Sequence, residues 1–130
     1  MAGGVDEARE WLRLASEALD AARLLAGRDF LRDAVSKSYY AMFYAAKAAV
    51  ISRGLEASKH STVISQFGQH FAKTGLVQRR LHQTLRIAFD ERQFADYTLD
   101  WSVSPEMVET RLAEAEEFVT GISRLLGAIE

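Results

Sequence analysis

The chain has 130 residues and a formal net charge of −2, with 48% hydrophobic and 26% charged residues, a balance that excludes a disordered or low-complexity segment. One proline and eight glycines exclude an all-β sandwich, which needs frequent turn signals. The absence of cysteine excludes disulfides, thiolate nucleophiles and cysteine-ligated zinc.

Residues 6–25 read as a first helix. Leu12, Ala15, Leu19 and Ala22 recur at spacings of three and four, and Trp11, Ala18 and Leu25 widen the stripe. Gly27 ends it, and Asp29 is the expected N-cap of the next. Residues 30–53 contain no breaker and predict a second helix with two adjoining stripes. Ser38, Ala41, Ala45, Ala48 and Ser52 form a small-residue face that lets another backbone approach, and Tyr40, Tyr44, Lys47 and Ile51 flank it. Gly54 closes it.

A loop over 56–59 leads to a short helix, 62–71, with Ser61 as its expected cap and Val63, Ile64, Phe67 and Phe71 on one side. Lys73-Thr74-Gly75 is a turn, and the spacing around Gly68 and Gly75 is wrong for a phosphate-binding loop. A fourth helix starts near Gln78, with Leu81, Leu85, Ala88 and Phe89 inward. The fifth is the clearest. Ser104 caps, Pro105 occupies the first turn, Glu106 suits the dipole, and Val108, Leu112, Ala115, Val119, Ile122, Leu126 and Ile129 recur for over twenty residues. The expected fold is all-α, an up-and-down antiparallel bundle of four long helices plus a short one. With no boundary or repeat, it is expected as a single domain over 1–130, its core spanning about 6–126. The longest apolar run, 39–51, is cut by Lys47 and too short for a bilayer, and the first seven residues carry no secretory signal. A cytoplasmic protein without a membrane role is expected.

Charge is unevenly spread. Residues 57–89 hold Lys59, Lys73, Arg79, Arg80 and Arg86 and no Asp or Glu, whereas residues 90–130 hold ten acids against Arg92, Arg111 and Arg124. Clustered cations of this kind either hold an anionic partner such as RNA or a nucleotide, or neutralise the acidic last helix. The stripe of the fourth helix runs 81, 85, 88 and then arrives at Arg92, a charge where the period calls for an apolar residue. Asp96 follows at i+4 as its partner, and Tyr97 comes next. One account is an ion pair fastening the helix end, with Tyr97 packed on the following turn. The other is a site acting on phosphate esters, in which arginine stabilises phosphorane charge and a carboxylate accepts a ribose proton. His60, His70 and His82 do not share a helical face, so each is expected as a loop or surface residue. No metal site, hydrolase triad or cofactor is expected.

Three segments together carry a resemblance: Ser36 through Ala48, with the run Ser38-Tyr39-Tyr40-Ala41-Met42-Phe43-Tyr44; Lys59 through Phe71, followed by Lys73-Thr74-Gly75; and Arg92-Gln93-Phe94-Ala95-Asp96-Tyr97. In order and spacing they resemble HEPN domains, in particular the small stand-alone prokaryotic group once described as an uncharacterised protein family. The resemblance covers about 6–126. It implies a helical bundle that forms a homodimer through its central helices and is paired with a minimal nucleotidyltransferase as toxin and antitoxin. Active members are metal-independent endoribonucleases, whose motif is an arginine followed, after four to six residues, by a histidine, with two copies meeting in the dimer cleft. Arg92 matches the arginine. The corresponding later positions are Tyr97, Thr98 and Leu99, none of them histidine. The tyrosine that is modified in toxins silenced by adenylylation lies two residues beyond the histidine, whereas Tyr97 takes the histidine's own place; Asp96-Tyr97 is the form of the uncharacterised subgroup. A phenol of ordinary pKa, about 10, is a poor base at pH 7. Two functions therefore stand open. One is an RNA-cleaving toxin using Arg92 with Asp96 or Tyr97 and the basic segment; the other is a non-catalytic HEPN subunit binding a nucleotide, RNA or its nucleotidyltransferase partner. A purely structural adaptor is the third.

Overall fold

The computed structural model describes residues 2–127, the side chains of residues 2, 3 and 5 excepted. Five helices follow in order: α1 (Ala2–Gly27), α2 (Leu31–Ser52), α3 (His60–Phe67), α4 (Arg79–Tyr97) and α5 (Pro105–Gly127), with a π-helical turn, Gly68–Ala72, continuing α3. The protein is an all-α bundle of four long helices and a short one, as the apolar periodicity requires. Ile129, expected in the last stripe, lies outside the described residues.

The central element is α2. Twelve of its 22 residues are buried, over more than half of the helix circumference, because α1, α3, α4 and α5 all pack against it. Ala41, Ala45 and Ala48 are fully buried, as are Ala15 and Ala22 of α1, so the α1–α2 pair seats small side chains where the backbones approach. Tyr40, Tyr44, Lys47 and Ile51 are half-buried along the neighbouring stripe. Lys47 Nζ sits 4.8 Å from the centre of the Trp11 ring. The one buried polar side chain of the core among the described residues, Ser38, donates its hydroxyl proton to the Ala34 carbonyl at 2.9 Å, which satisfies it within its own helix. Phe67 stacks on Phe71 at 5.5 Å and meets Phe118 of α5 at 5.3 Å, joining α3, the π turn and α5.

Three local expectations are corrected. Asp29 does not cap α2. It adopts φ +63°, and its N–H bonds the Ala26 carbonyl while that of Phe30 bonds Leu25, the paired bonds of a Schellman ending for α1. A short polar side chain tolerates the left-handed conformation there, and Phe30 takes the N-cap position without a side-chain bond. Ser61 is likewise inside α3, whose N-cap is Lys59, and α3 ends at Phe67 because the backbone widens into the π turn. The first helix also begins earlier than residue 6, since Gly4 packs near the end of α2, its Cβ position 3.9 Å from the Ile51 carbonyl oxygen. Ser104, by contrast, caps α5 through its Oγ, which accepts from the Met107 N–H at 3.2 Å.

Between α4 and α5, Arg111 forks onto Glu91, with Nε 2.9 Å from Oε1 and Nη2 on Oε2, and reaches Glu114 at 2.8 Å. These carboxylates hold its guanidinium charged well above the ordinary range, against the opposing effect of burial. Arg32 of α2 ties down the α4–α5 connection by donating to the carbonyls of Ala95 and Trp101.

Candidate functional site

The inward stripe of α4 places Leu81, Leu85 and Ala88 in the core and then Arg92 at its edge, with a side chain 29% exposed. One guanidinium nitrogen is bonded to the Asp96 carboxylate, as the i+4 spacing predicts. Its Nε is buried without a hydrogen-bond partner among the described residues. Its guanidinium carbon lies 6.0 Å from the centre of the Tyr40 ring. Beside it a small cavity of about 140 Å³ is lined by Arg32, Tyr39, Glu91, Asp96, Trp101 and Arg111, among others. Tyr97 does not pack on the following turn; it is 89% exposed. Five residues along a helix is about 140° around its axis, which turns Tyr97 away from the face that carries Arg92.

A histidine also stands in this neighbourhood. His60, the first residue of α3, is not a surface residue. It stacks on Phe43 at 3.9 Å and 14°, meets Tyr40 edge-on at 6.0 Å and 89°, and lies 6.2 Å from Phe89. Its Nδ1 is 2.6 Å from the Tyr39 hydroxyl. Arg92 and His60 therefore flank the same tyrosine ring. Burial chiefly, then the charges of Lys47 and Arg92, pull the His60 pKa below its ordinary value, so the ring is neutral at pH 7. Burial pushes the Tyr39 phenol far up, Tyr40 adding to it and Arg92 opposing, so it stays protonated. The only sequence signal for this site is that His60 and Tyr39 both fall inside the segments resembling a family.

The five cations separate into groups. Lys73, Arg79 and Arg86 line one groove of about 630 Å³ between α3, the π turn and α4, together with His82, Ser65 and Asp90. All three are exposed, and none makes an ion pair among the described residues. The groove reaches Phe89, one turn before Arg92. Lys59 instead lines a second groove with Trp11, Lys47 and Glu56. Arg80 faces α5 and pairs with Glu117 at 2.6 Å, so for this residue the basic segment does neutralise the acidic helix. His82 is half-buried, with Nε2 3.2 Å from the Ile64 carbonyl oxygen. Burial lowers its pKa, the carbonyl partly restores it, and Arg86 lowers it further.

Among the described residues no helix is long and apolar enough to cross a membrane.

A family model described as "HEPN domain" matches residues 8–125. The chain is 37% identical over 116 residues to a UPF0332 protein of Thermotoga maritima, an overlap covering 89% of this chain and 88% of the relative. It is 35% identical over 124 residues to "Putative toxin MJ0605" of Methanocaldococcus jannaschii (95% and 92% covered) and 30% identical over 120 residues to "Putative toxin MJ0142" of the same organism (92% and 82% covered).

Proposed function

The chain belongs to the HEPN domain family, and from that premise we propose that it is the toxin-like member of a HEPN and minimal-nucleotidyltransferase pair, acting on RNA at a homodimer cleft around Arg92. The observation that carries the reading is the state of Arg92. It is a half-buried guanidinium with an unpartnered Nε, at the end of a helix whose preceding turns present Arg79 and Arg86 to an open groove. Cations spaced along a groove track a phosphate backbone, and a half-buried arginine is suited to a phosphorane's developing charge. The names of two relatives as toxins agree with this. Ile87 and Phe94, seven residues apart on one face of α4 and 54% and 60% exposed, with Tyr97 beyond them, offer an apolar stripe for a second copy on the side of α4 turned away from Arg92. A second reading, a HEPN subunit that binds RNA, a nucleotide or its partner without cleaving, is favoured by the absence of histidine four to six residues after Arg92.

The test is incubation of total and defined RNAs with purified protein in EDTA, with Arg92→Ala alongside and light scattering at micromolar concentration. Cleavage by the wild type only, from a dimer, is the expected result. A folded dimer that binds RNA without cutting it selects the second reading, and a monomer overturns the composite cleft.

A further inference from the structure

Building on the ribonuclease reading, we propose that His60 is the proton-transfer residue of the Arg92 site, supplied by α3 in place of the histidine missing after Arg92, and that Tyr39 is its positioning residue. Three observations converge on it. The imidazole and the Arg92 guanidinium flank one ring, Tyr40. Its plane is fixed by stacking on Phe43 and by the Tyr39 bond at 2.6 Å, more support than a merely packed histidine needs. Its remaining nitrogen, Nε2, has no hydrogen-bond partner among the described residues. In the tautomer whose Nδ1–H donates to the Tyr39 oxygen, Nε2 presents a lone pair, and the same bond persists when the ring is protonated.

The substrate is a single-stranded RNA phosphodiester. Nε2 takes the proton of the ribose 2′-hydroxyl as that oxygen bonds to the adjacent phosphorus. The bond from phosphorus to the 5′ oxygen breaks, and the proton is passed on to that leaving oxygen. The products are a 2′,3′-cyclic phosphate and a free 5′-hydroxyl, and no water is consumed. Arg92 carries the charge that accumulates on the non-bridging oxygens. The groups facing His60 are Tyr39, Tyr40 and Lys47 from α2 and Arg92 from α4. As the group that takes the proton, the His60 ring sets the acid limb of the rate profile.

The experiment compares wild type, His60→Gln, Tyr39→Phe and Arg92→Ala on a defined single-stranded RNA in EDTA, with circular dichroism confirming the fold. His60→Gln is expected to lose on the order of 10²–10⁴-fold in rate. Tyr39→Phe keeps the base but moves the acid limb to lower pH, because the imidazolium loses its acceptor. A folded His60→Gln that cleaves within threefold of wild type while Arg92→Ala is inactive overturns the assignment and leaves the ribonuclease reading standing. A wild type that cleaves nothing overturns both. If His60→Gln fails to fold, the NMR resonances of the wild-type His60 ring are followed on adding the 2′-deoxy oligonucleotide. A shift on binding supports the assignment; an unchanged ring overturns it.

Discussion

Replacing Gly68 with alanine tests how tightly the π turn holds the floor of the basic groove. A Cβ at Gly68 would lie 2.5 Å from Nε2 and 2.6 Å from Cε1 of His82, well inside van der Waals contact, so the imidazole must move. It is not free to do so: Nε2 meets the Ile64 carbonyl at 3.2 Å and the ring lies 6.4 Å from Phe67. Swinging it out loses a hydrogen bond of about 1 kcal/mol and adds overpacking of about 1–3 kcal/mol. The lower chain entropy of alanine in the unfolded state returns about 0.4–1 kcal/mol. The net loss is about 2 kcal/mol. With an m-value of about 2 kcal/mol/M in urea, the unfolding midpoint falls by about 1 M at unchanged slope. The deciding control is the same substitution in a His82→Ala background, where the obstructing ring is gone and Gly68→Ala should be neutral or mildly stabilising. An equal loss in both backgrounds would refute the steric argument and place the cost in the π-turn backbone itself.

Replacing Lys73, Arg79 or Arg86 with alanine should each reduce the slope of log K against log salt for single-stranded RNA by about 0.7, measured by fluorescence anisotropy. Arg80→Ala, already paired with Glu117, should leave the slope unchanged. Thermal stability should fall between pH 7 and pH 5. The folded His60 and His82 bind protons less readily than the unfolded chain, so their contribution is full above about pH 6.5 and lost as the unfolded rings take up protons first. His82→Gln should flatten part of that decline in calorimetric scans, and an unchanged profile would refute the attribution. Ser104→Ala removes the hydroxyl that accepts from Met107 and should cost about 1 kcal/mol by urea denaturation; no loss would mean that Pro105 and Glu106 alone hold the helix start.

The helices were readable because each buries a stripe at helical spacing, and the same rule placed Arg92 at the end of the α4 stripe with Asp96 one turn on. Capping was readable only in part. Ser104 and Asp29 have the same cap-forming chemistry, yet the short α1–α2 connection needs a left-handed residue and takes Asp29 for it. The cationic groove was half legible. Charge counting finds five bases in an acid-free segment, but Arg79 and Arg80 are neighbours on a helix and diverge by about 100°, one toward the groove and the other onto Glu117. His60 was not legible from spacing at all. It lies 32 residues from Arg92 along the chain, and only the packing of α3 and α4 against Tyr39, Tyr40 and Phe43 brings the two to one ring.

The extensive burial of α2 also sets the order in which the protein opens. A helix packed by four others exposes the amides of its buried stretch to exchange only when the whole molecule unfolds, and its pairing with α1 across a short turn is local enough to form early. The slowest-exchanging protons should therefore lie between Tyr39 and Val50. The helix that carries Arg92 is differently placed. Only four of the 19 residues of α4 are buried, and beyond Leu81, Leu85 and Ala88 in the core it is held by the Arg111 fork and the Arg32 tether. It can detach at low cost while the α1–α2 pair stays intact, so hydrogen exchange should report two tiers of protection. Arg92 is thus mounted on the less protected layer of the bundle, whereas Tyr39 sits in the most protected one.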